Sequence, residues 1–168
     1  DRSRFLEAAF EILGETGWDR AGEMPRLLCV HHAFEGATVG PSNYVFRRTK
    51  DVIKMGDLPP GLTAVLSGHI HRHQVLTAAD RPPIFYPGST ERTSFAERAE
   101  PKGFLDLSFP PDHNGQWQVS RSVFVELPAR PMVDIDLDGV EPGRLETFLS
   151  GRAGTLDRDA VVRLTGDA

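Results

Sequence analysis

One cysteine, Cys29, is all the chain contains, so an intrachain disulfide is impossible and a reducing compartment is the natural expectation. Set in Leu27-Leu28-Cys29-Val30, it reads as a small buried apolar residue. Apolar runs stay far short of the about 20 residues that span a bilayer, and no basic stretch followed by an apolar one opens the sequence. A water-soluble cytoplasmic protein without membrane contact is therefore expected. Basic residues are outnumbered: a formal charge of −5 argues against binding nucleic acid over the whole surface, though not against a local basic groove or anions held through metal ions. Internal repeats and low-complexity tracts are absent as well.

What is present is globular. Hydrophobic residues make up 39% and charged residues 26% of 168, close to the averages for folded domains and enough for one domain or a domain with part of another. The sequence starts at Asp1, enters an amphipathic pattern at once, and stops just after the strand-like Val161-Val162-Arg163-Leu164-Thr165. It is expected to be a part of something longer.

Phe5, Leu6, Ala9, Phe10, Ile12 and Leu13 fall at helical spacing, with Ser3 as the expected cap and Gly14 and Gly17 as the stop. Residues 26–31 read as a buried strand running into His31-His32. From 35 to 54 no period is visible. Gly36, Gly40, Pro41 and Asn43 mark turns there, and Arg47, Arg48, Lys50 and Lys54 gather on what reads as a solvated loop within reach of a phosphate. Strands are expected at 62–66, 74–77, 84–86, 103–109 and 116–127, in the manner of a meandering sheet. Pro128 to Pro131 marks a boundary, followed by a strand at 132–137, a short helix at 142–149 and a strand at 160–165, a small βαβ piece.

The chemistry lies in the histidines. Gly68-His69-Ile70-His71 follows the apolar run 62–66, and His31 follows Leu-Leu-Cys-Val, so three imidazoles stand at strand ends. If those strands are neighbours, the side chains meet at one edge. Neutral imidazole suits zinc, manganese, iron and nickel, whereas work on phosphate calls for oxygen ligands as well. Glu35 and Asp57 are the nearby carboxylates, but Asp57 sits in a Gly-Asp-Leu-Pro turn that favours a capping role. His32 falls on the opposite side from His31, either close behind a metal or simply exposed; His73 continues the alternation beside Arg72, and His113 belongs to a hairpin tip.

Taken in order, Leu27-Leu28-Cys29-Val30-His31-His32, Gly56-Asp57-Leu58-Pro59, Ser67-Gly68-His69-Ile70-His71-Arg72, Tyr86-Pro87-Gly88-Ser89-Thr90-Glu91-Arg92-Thr93-Ser94-Phe95 and Lys102-Gly103-Phe104 resemble the calcineurin-like metallophosphoesterases. The likeness is greatest to the SbcD-type DNA repair nucleases. Lone His and Gly-His-x-His are superfamily features, while Tyr-Pro-Gly-Ser-x-Glu-Arg-x-x-Phe is specific to the nuclease branch. Order and spacing agree from about Leu27 to Phe104, and the tail from Leu127 is similar to the start of that family's capping domain.

The resemblance implies an α/β fold, part of a four-layer α/β/β/α metallophosphoesterase sandwich over residues 1–127, followed by a βαβ piece of a partial capping domain over 128–168. It implies two divalent ions, manganese first and zinc, iron or magnesium as alternatives, with His31 and His69 on one and His71 on the other. A two-metal clamp of this kind activates water for in-line attack on a phosphodiester. Arg92, Ser89, Tyr86 and His32 are the substrate-contacting candidates. Arg92 is as well suited to a glutamate as to a phosphate, and Tyr86 is also a natural core aromatic. The implied partners are DNA and an SbcC-type ATPase subunit, with a homodimer among the assemblies allowed.

One departure is chemical. The family's Asp-x-His, Gly-Asp-x-x-Asp and Gly-Asn-His motifs, which supply the bridging carboxylate and the histidine that protonates the leaving group, are not in this sequence. No catalytic residue is therefore assigned within it, and the chain by itself is expected to be inactive as the parent enzyme cleaves DNA. Two other readings remain: a phosphodiesterase for nucleotides or small phosphate esters, and a non-catalytic binding module that keeps the sheet.

Overall fold

The computed structural model describes residues 2–15, 24–47 and 50–166. Helix α1, Arg2–Glu15, carries Phe5 against the core and ends one residue past Gly14. Ser3, the expected cap, lies inside the helix, and Gly17 and Arg48 fall outside the described residues. Strands β1 (Leu27–Val30), β2 (Ala33–Phe34), β3 (Thr38–Val39), β4 (Tyr44–Val45) and β5 (Val52–Ile53) follow. Next come β6 (Ala64–Ser67), β7 (Gln74–Leu76), β8 (Ile84–Tyr86), β9 (Lys102–Ser108), β10 (Arg121–Leu127) and β11 (Met132–Asp136), then α2 (Leu145–Ala153) and β12 (Val161–Thr165).

The architecture is α/β around a mixed four-stranded sheet in the order β1-β6-β8-β7. β1 and β8 both run parallel to β6, and β7 pairs antiparallel with β8. This corrects the expected meander. Turn residues mark where each strand stops but not which strand it will pair with, and β6 is joined to both parallel partners by long connections.

Centre and edge differ in burial as pairing dictates. Every residue of β8 is buried, as are Ala64, Val65 and Ser67 of β6, while β1 is an edge strand on which Cys29 is exposed. The expectation of a buried strand and a buried cysteine is corrected accordingly: an apolar run of four looks the same at an edge as at a centre.

The segment without a period is also more than a solvated loop. β2 and β5 pair in parallel, β3 and β4 form a hairpin, and Phe34, Ala37, Val52 and Ile53 are among the most buried side chains. With Leu58, Val65, Ile70, Ile84 and Tyr86 they close the core. Each such apolar side chain of leucine or phenylalanine size contributes about 1.5–3 kcal/mol by leaving water.

β9 and β10 form a long antiparallel pair, and β11 and β12 pair in parallel across α2, which begins after a 3₁₀ turn at Pro142–Arg144 and continues past Leu149. The βαβ unit is tied back to the preceding segment. The Arg163 guanidinium stacks over the Phe95 ring at 4.4 Å, and Arg98 lies 3.6 Å from Asp134.

Candidate metal centre

Parallel pairing of β1 with β6 brings Val30 opposite Ser67, so both strands deliver their next residues to one carboxyl edge. Ligands of open α/β sheets collect at such edges. The ladder extends one step further through Gly68 N–H donating to Val30 O at 2.9 Å, which sets His31 directly beside Gly68. A Cβ on Gly68 would lie 2.7 Å from His31 Nδ1: the imidazole occupies the space a side chain would need.

His69 then turns the chain with φ of 77°, a left-handed conformation unusual for a non-glycine residue. Its ring meets that of His31 edge to face, with centroids 5.4 Å apart. Two imidazoles on one tetrahedral ion, each with a nitrogen about 2.0–2.1 Å from it, have centroids about 5 Å apart. The separation of the pair is of that size. Both histidines are exposed, and burial first, then the charges of His31, His32 and His71, pushes the His69 pKa below its usual value. Neutral imidazole is the form that binds metal.

His71 stands on different support. Its Nδ1 lies 3.1 Å from Glu97 Oε1 and 3.2 Å from Thr93 Oγ1. Glu97 Oε2 accepts from Lys102 Nζ at 2.7 Å, and the same ammonium donates to the His71 carbonyl at 3.2 Å and to Ser89 Oγ at 2.9 Å. The Lys102 side chain is fully buried. Burial works to raise the Glu97 pKa, but hydrogen bonds from Lys102, His71 and Thr93 prevail and hold it at about 2.

The turn at Pro87-Gly88-Ser89 presses on this stretch: Gly88 has φ of 83°, and a Cβ there would sit 2.9 Å from both His71 O and His73 N. Ser89 N–H donates to His71 O, and Ser89 Oγ donates to Glu91 O. Ser89, a candidate for substrate contact, has its hydroxyl engaged within the protein.

The other substrate candidates also have polar or ring contacts within the protein. Tyr86 is buried; its hydroxyl donates to His32 O and accepts from Phe34 N–H, both at 2.9 Å, and burial pushes its pKa up to about 12 against the hydrogen bonds of Phe34 and Ser67. It holds the backbone turn behind His31. Arg92 Nη1 donates to the carbonyls of Ala129 and Arg130, and Nη2 to that of Glu100, while its Nε is buried without a partner. Backbone carbonyls thus take up both terminal nitrogens of this half-buried fork, and its charge adds to the Arg92 N–H hydrogen bond that chiefly lowers the Glu91 pKa. His32, half-buried, packs its ring 5.6 Å from Phe5 of α1.

His73 Nδ1 donates to Tyr86 O at 3.0 Å, and its ring stacks flat on Phe124 with centroids 4.4 Å apart. Asp57 Oδ2 accepts from Lys54 N–H, the capping role its turn suggested. His113 sits beside Asn114 at the tip of the 109–120 connection, between the bridged Pro111 and Trp117.

Glu97 and Lys102 were not singled out in the sequence as site residues. Ser94-Phe95-Ala96-Glu97 does carry the S-x-x-E signature of a local turn, and a 3₁₀ turn forms at Phe95–Glu97 with Ser94 at its cap. Lys102 belongs to the Lys102-Gly103-Phe104 stretch of the resemblance, but nothing in that stretch marks its side chain as a buried anchor. Among the described residues no three His, Cys, Asp or Glu side chains form a metal-ligand group. Among them, too, no helix is long and apolar enough to cross a membrane. No known protein-family model matches the sequence.

Proposed function

We propose that this chain carries the histidine side of a two-metal phosphodiesterase centre, in a DNA nuclease of the SbcD type that works with an SbcC-type ATPase. The observation that carries the reading is the His31–His69 pair, two exposed imidazoles at the carboxyl ends of adjacent parallel strands, with centroids at the spacing one metal ion requires. The four-layer α/β/β/α sandwich and the capping role of residues 128–168 belong to the same proposal.

When bound, divalent ions at such a centre polarise phosphate oxygens and make water acidic enough to attack near neutral pH. The residues of this chain supply the frame. His31 is held over Gly68 by the β1–β6 ladder, the neutral form of His69 is favoured by burial and neighbouring imidazoles, and His71 is fixed through its backbone and its ring. Hard divalent ions also need carboxylate or amide oxygens. The carboxylate beside these imidazoles, Glu97, is already engaged by Lys102, Thr93 and His71, and the family's Asp-x-His, Gly-Asp-x-x-Asp and Gly-Asn-His motifs are not in this sequence, so the 168-residue chain alone is proposed to be inactive.

The test is made on the full-length protein encoded by the gene. Purified with manganese, it is expected to degrade linear duplex DNA, and His31→Ala and His69→Ala are each expected to abolish cleavage while leaving the fold intact. Cleavage of bis-p-nitrophenyl phosphate or nucleotides without cleavage of DNA would transfer the reading to small phosphate esters. Failure of the wild-type full-length protein to bind manganese or zinc would end it.

A further inference from the structure

We infer that Glu97 is the positioning residue of His71, fixing its imidazole in the tautomer with the proton on Nδ1, so that Nε2 keeps the free lone pair. This deepens the reading above and rests on it for the role of His71 as a ligand, but the tautomer itself is a property of the metal-free chain.

Donors and acceptors around the carboxylate decide the tautomer. Glu97 Oε2 takes a hydrogen bond from Lys102 Nζ at 2.7 Å; Oε1 takes the Thr93 hydroxyl at 2.8 Å and faces the Ser94 hydroxyl at 3.4 Å. Everything around the carboxylate donates, and a fully buried ammonium stands against it, so the group is an anion with acceptor capacity only. A bare nitrogen 3.1 Å from Oε1 would set two lone pairs against each other. A proton on Nδ1 turns that contact into a charge-assisted hydrogen bond.

Water favours the other tautomer of imidazole, so the environment must supply the preference. The geometry closes on itself. Lys102 holds both Glu97 and the backbone carbonyl of His71, at 3.2 Å, so the carboxylate that orients the ring and the chain that bears it share one buried anchor. Carboxylates in this relation to metal-binding histidines fix ring orientation and raise ligand basicity.

The experiment is a long-range ¹H–¹⁵N correlation spectrum of the ¹⁵N-labelled, metal-free 168-residue chain at neutral pH, with zinc titration of the full-length protein alongside. Wild-type His71 is expected as the Nδ1–H tautomer. In Glu97→Gln the single remaining acceptor stays with Lys102 and the amide NH₂ turns to His71, so the tautomer is expected to switch to Nε2–H, with zinc affinity of the full-length protein lowered about 10–100-fold. Thr93→Val is expected to leave Nδ1–H in place. An Nε2–H wild-type spectrum, or a switch in Thr93→Val, overturns the inference, and either can be read even if Glu97→Gln fails to fold. An Nδ1–H wild-type spectrum with no binding of zinc or manganese by the full-length protein would uphold the positioning and sink the nuclease reading.

Discussion

His31 lies directly over Gly68, its Nδ1 2.7 Å from where a Cβ on that glycine would stand. The glycine is outside the left-handed region, so its backbone conformation is open to alanine; the space is not. A methyl group there meets a ring at the end of a rotatable side chain on an edge strand, and the ring is what gives way. Gly68→Ala is therefore expected to keep stability within about 1 kcal/mol, as for a surface change, while displacing His31 and weakening zinc binding at the His31–His69 pair. Chemical denaturation and a zinc titration on the same preparation check both halves; a large loss of stability with unchanged zinc affinity would contradict the argument.

His69 bears a backbone cost for its position. With φ of 77°, glycine would occupy the same conformation without the steric penalty of a Cβ. His69→Gly is expected to be neutral or stabilising by up to about 1 kcal/mol, with metal binding lost. The pKa lowered by burial and by neighbouring imidazoles adds a sign of its own: below the ordinary value of 6.5 the unfolded chain takes up this proton more readily than the folded one. Stability should therefore fall as pH drops below about 6.5, and less steeply in His69→Gly. Urea midpoints between pH 7.5 and 5 for the two proteins, assays set by that window, measure the difference.

Tyr86 separates a structural reading from a substrate reading. Its hydroxyl accepts from Phe34 N–H and donates to His32 O inside the core. Tyr86→Phe leaves that buried N–H without its acceptor and is expected to cost about 1–3 kcal/mol, seen as a lowered denaturation midpoint. A tyrosine that instead contacted DNA would show unchanged stability and weakened DNA binding in the full-length protein.

Much of the frame was legible because it is written in local signals. The apolar run ending in Gly68-His69 and the run ending at His31 marked strand ends, and parallel pairing of β1 with β6 brings those ends together. Pro128 and Pro131 preceded the βαβ unit, whose strands do pair in parallel. What local signals do not carry is partnership. Nothing in Leu27–Val30 distinguishes an edge from a centre, which is why Cys29 was expected inside and is exposed. Residues 35–54 lack a period because their strands are two residues long, too short to show alternation, yet Ala37 and Ile53 are completely buried. Arg92 and Tyr86 were read by side-chain chemistry as candidates for substrate contact; the carbonyls and amide that take up their polar atoms lie up to 54 residues away in sequence.

The buried anchor gives the last prediction, and its sign follows from Glu97. Held at about 2 by the hydrogen bonds of Lys102, His71 and Thr93 against the opposing effect of burial, this carboxyl group is a weaker proton acceptor when folded than when unfolded, where its ordinary value is 4.5. Its contribution to stability is thus fully present above about pH 4.5 and is lost as pH falls toward 2. Lys102→Met removes the ammonium but leaves the carboxylate, 12% exposed, facing His71 without its principal partner. The variant is expected to lose about 3–5 kcal/mol at neutral pH, the usual cost of breaking a buried pair from one side. With the main cause of the low pKa gone, its stability should also depend less on pH between 4.5 and 2 than the wild type's. Urea unfolding across that range measures both effects, and parallel curves for the two proteins would show that Lys102 is not what keeps Glu97 ionised.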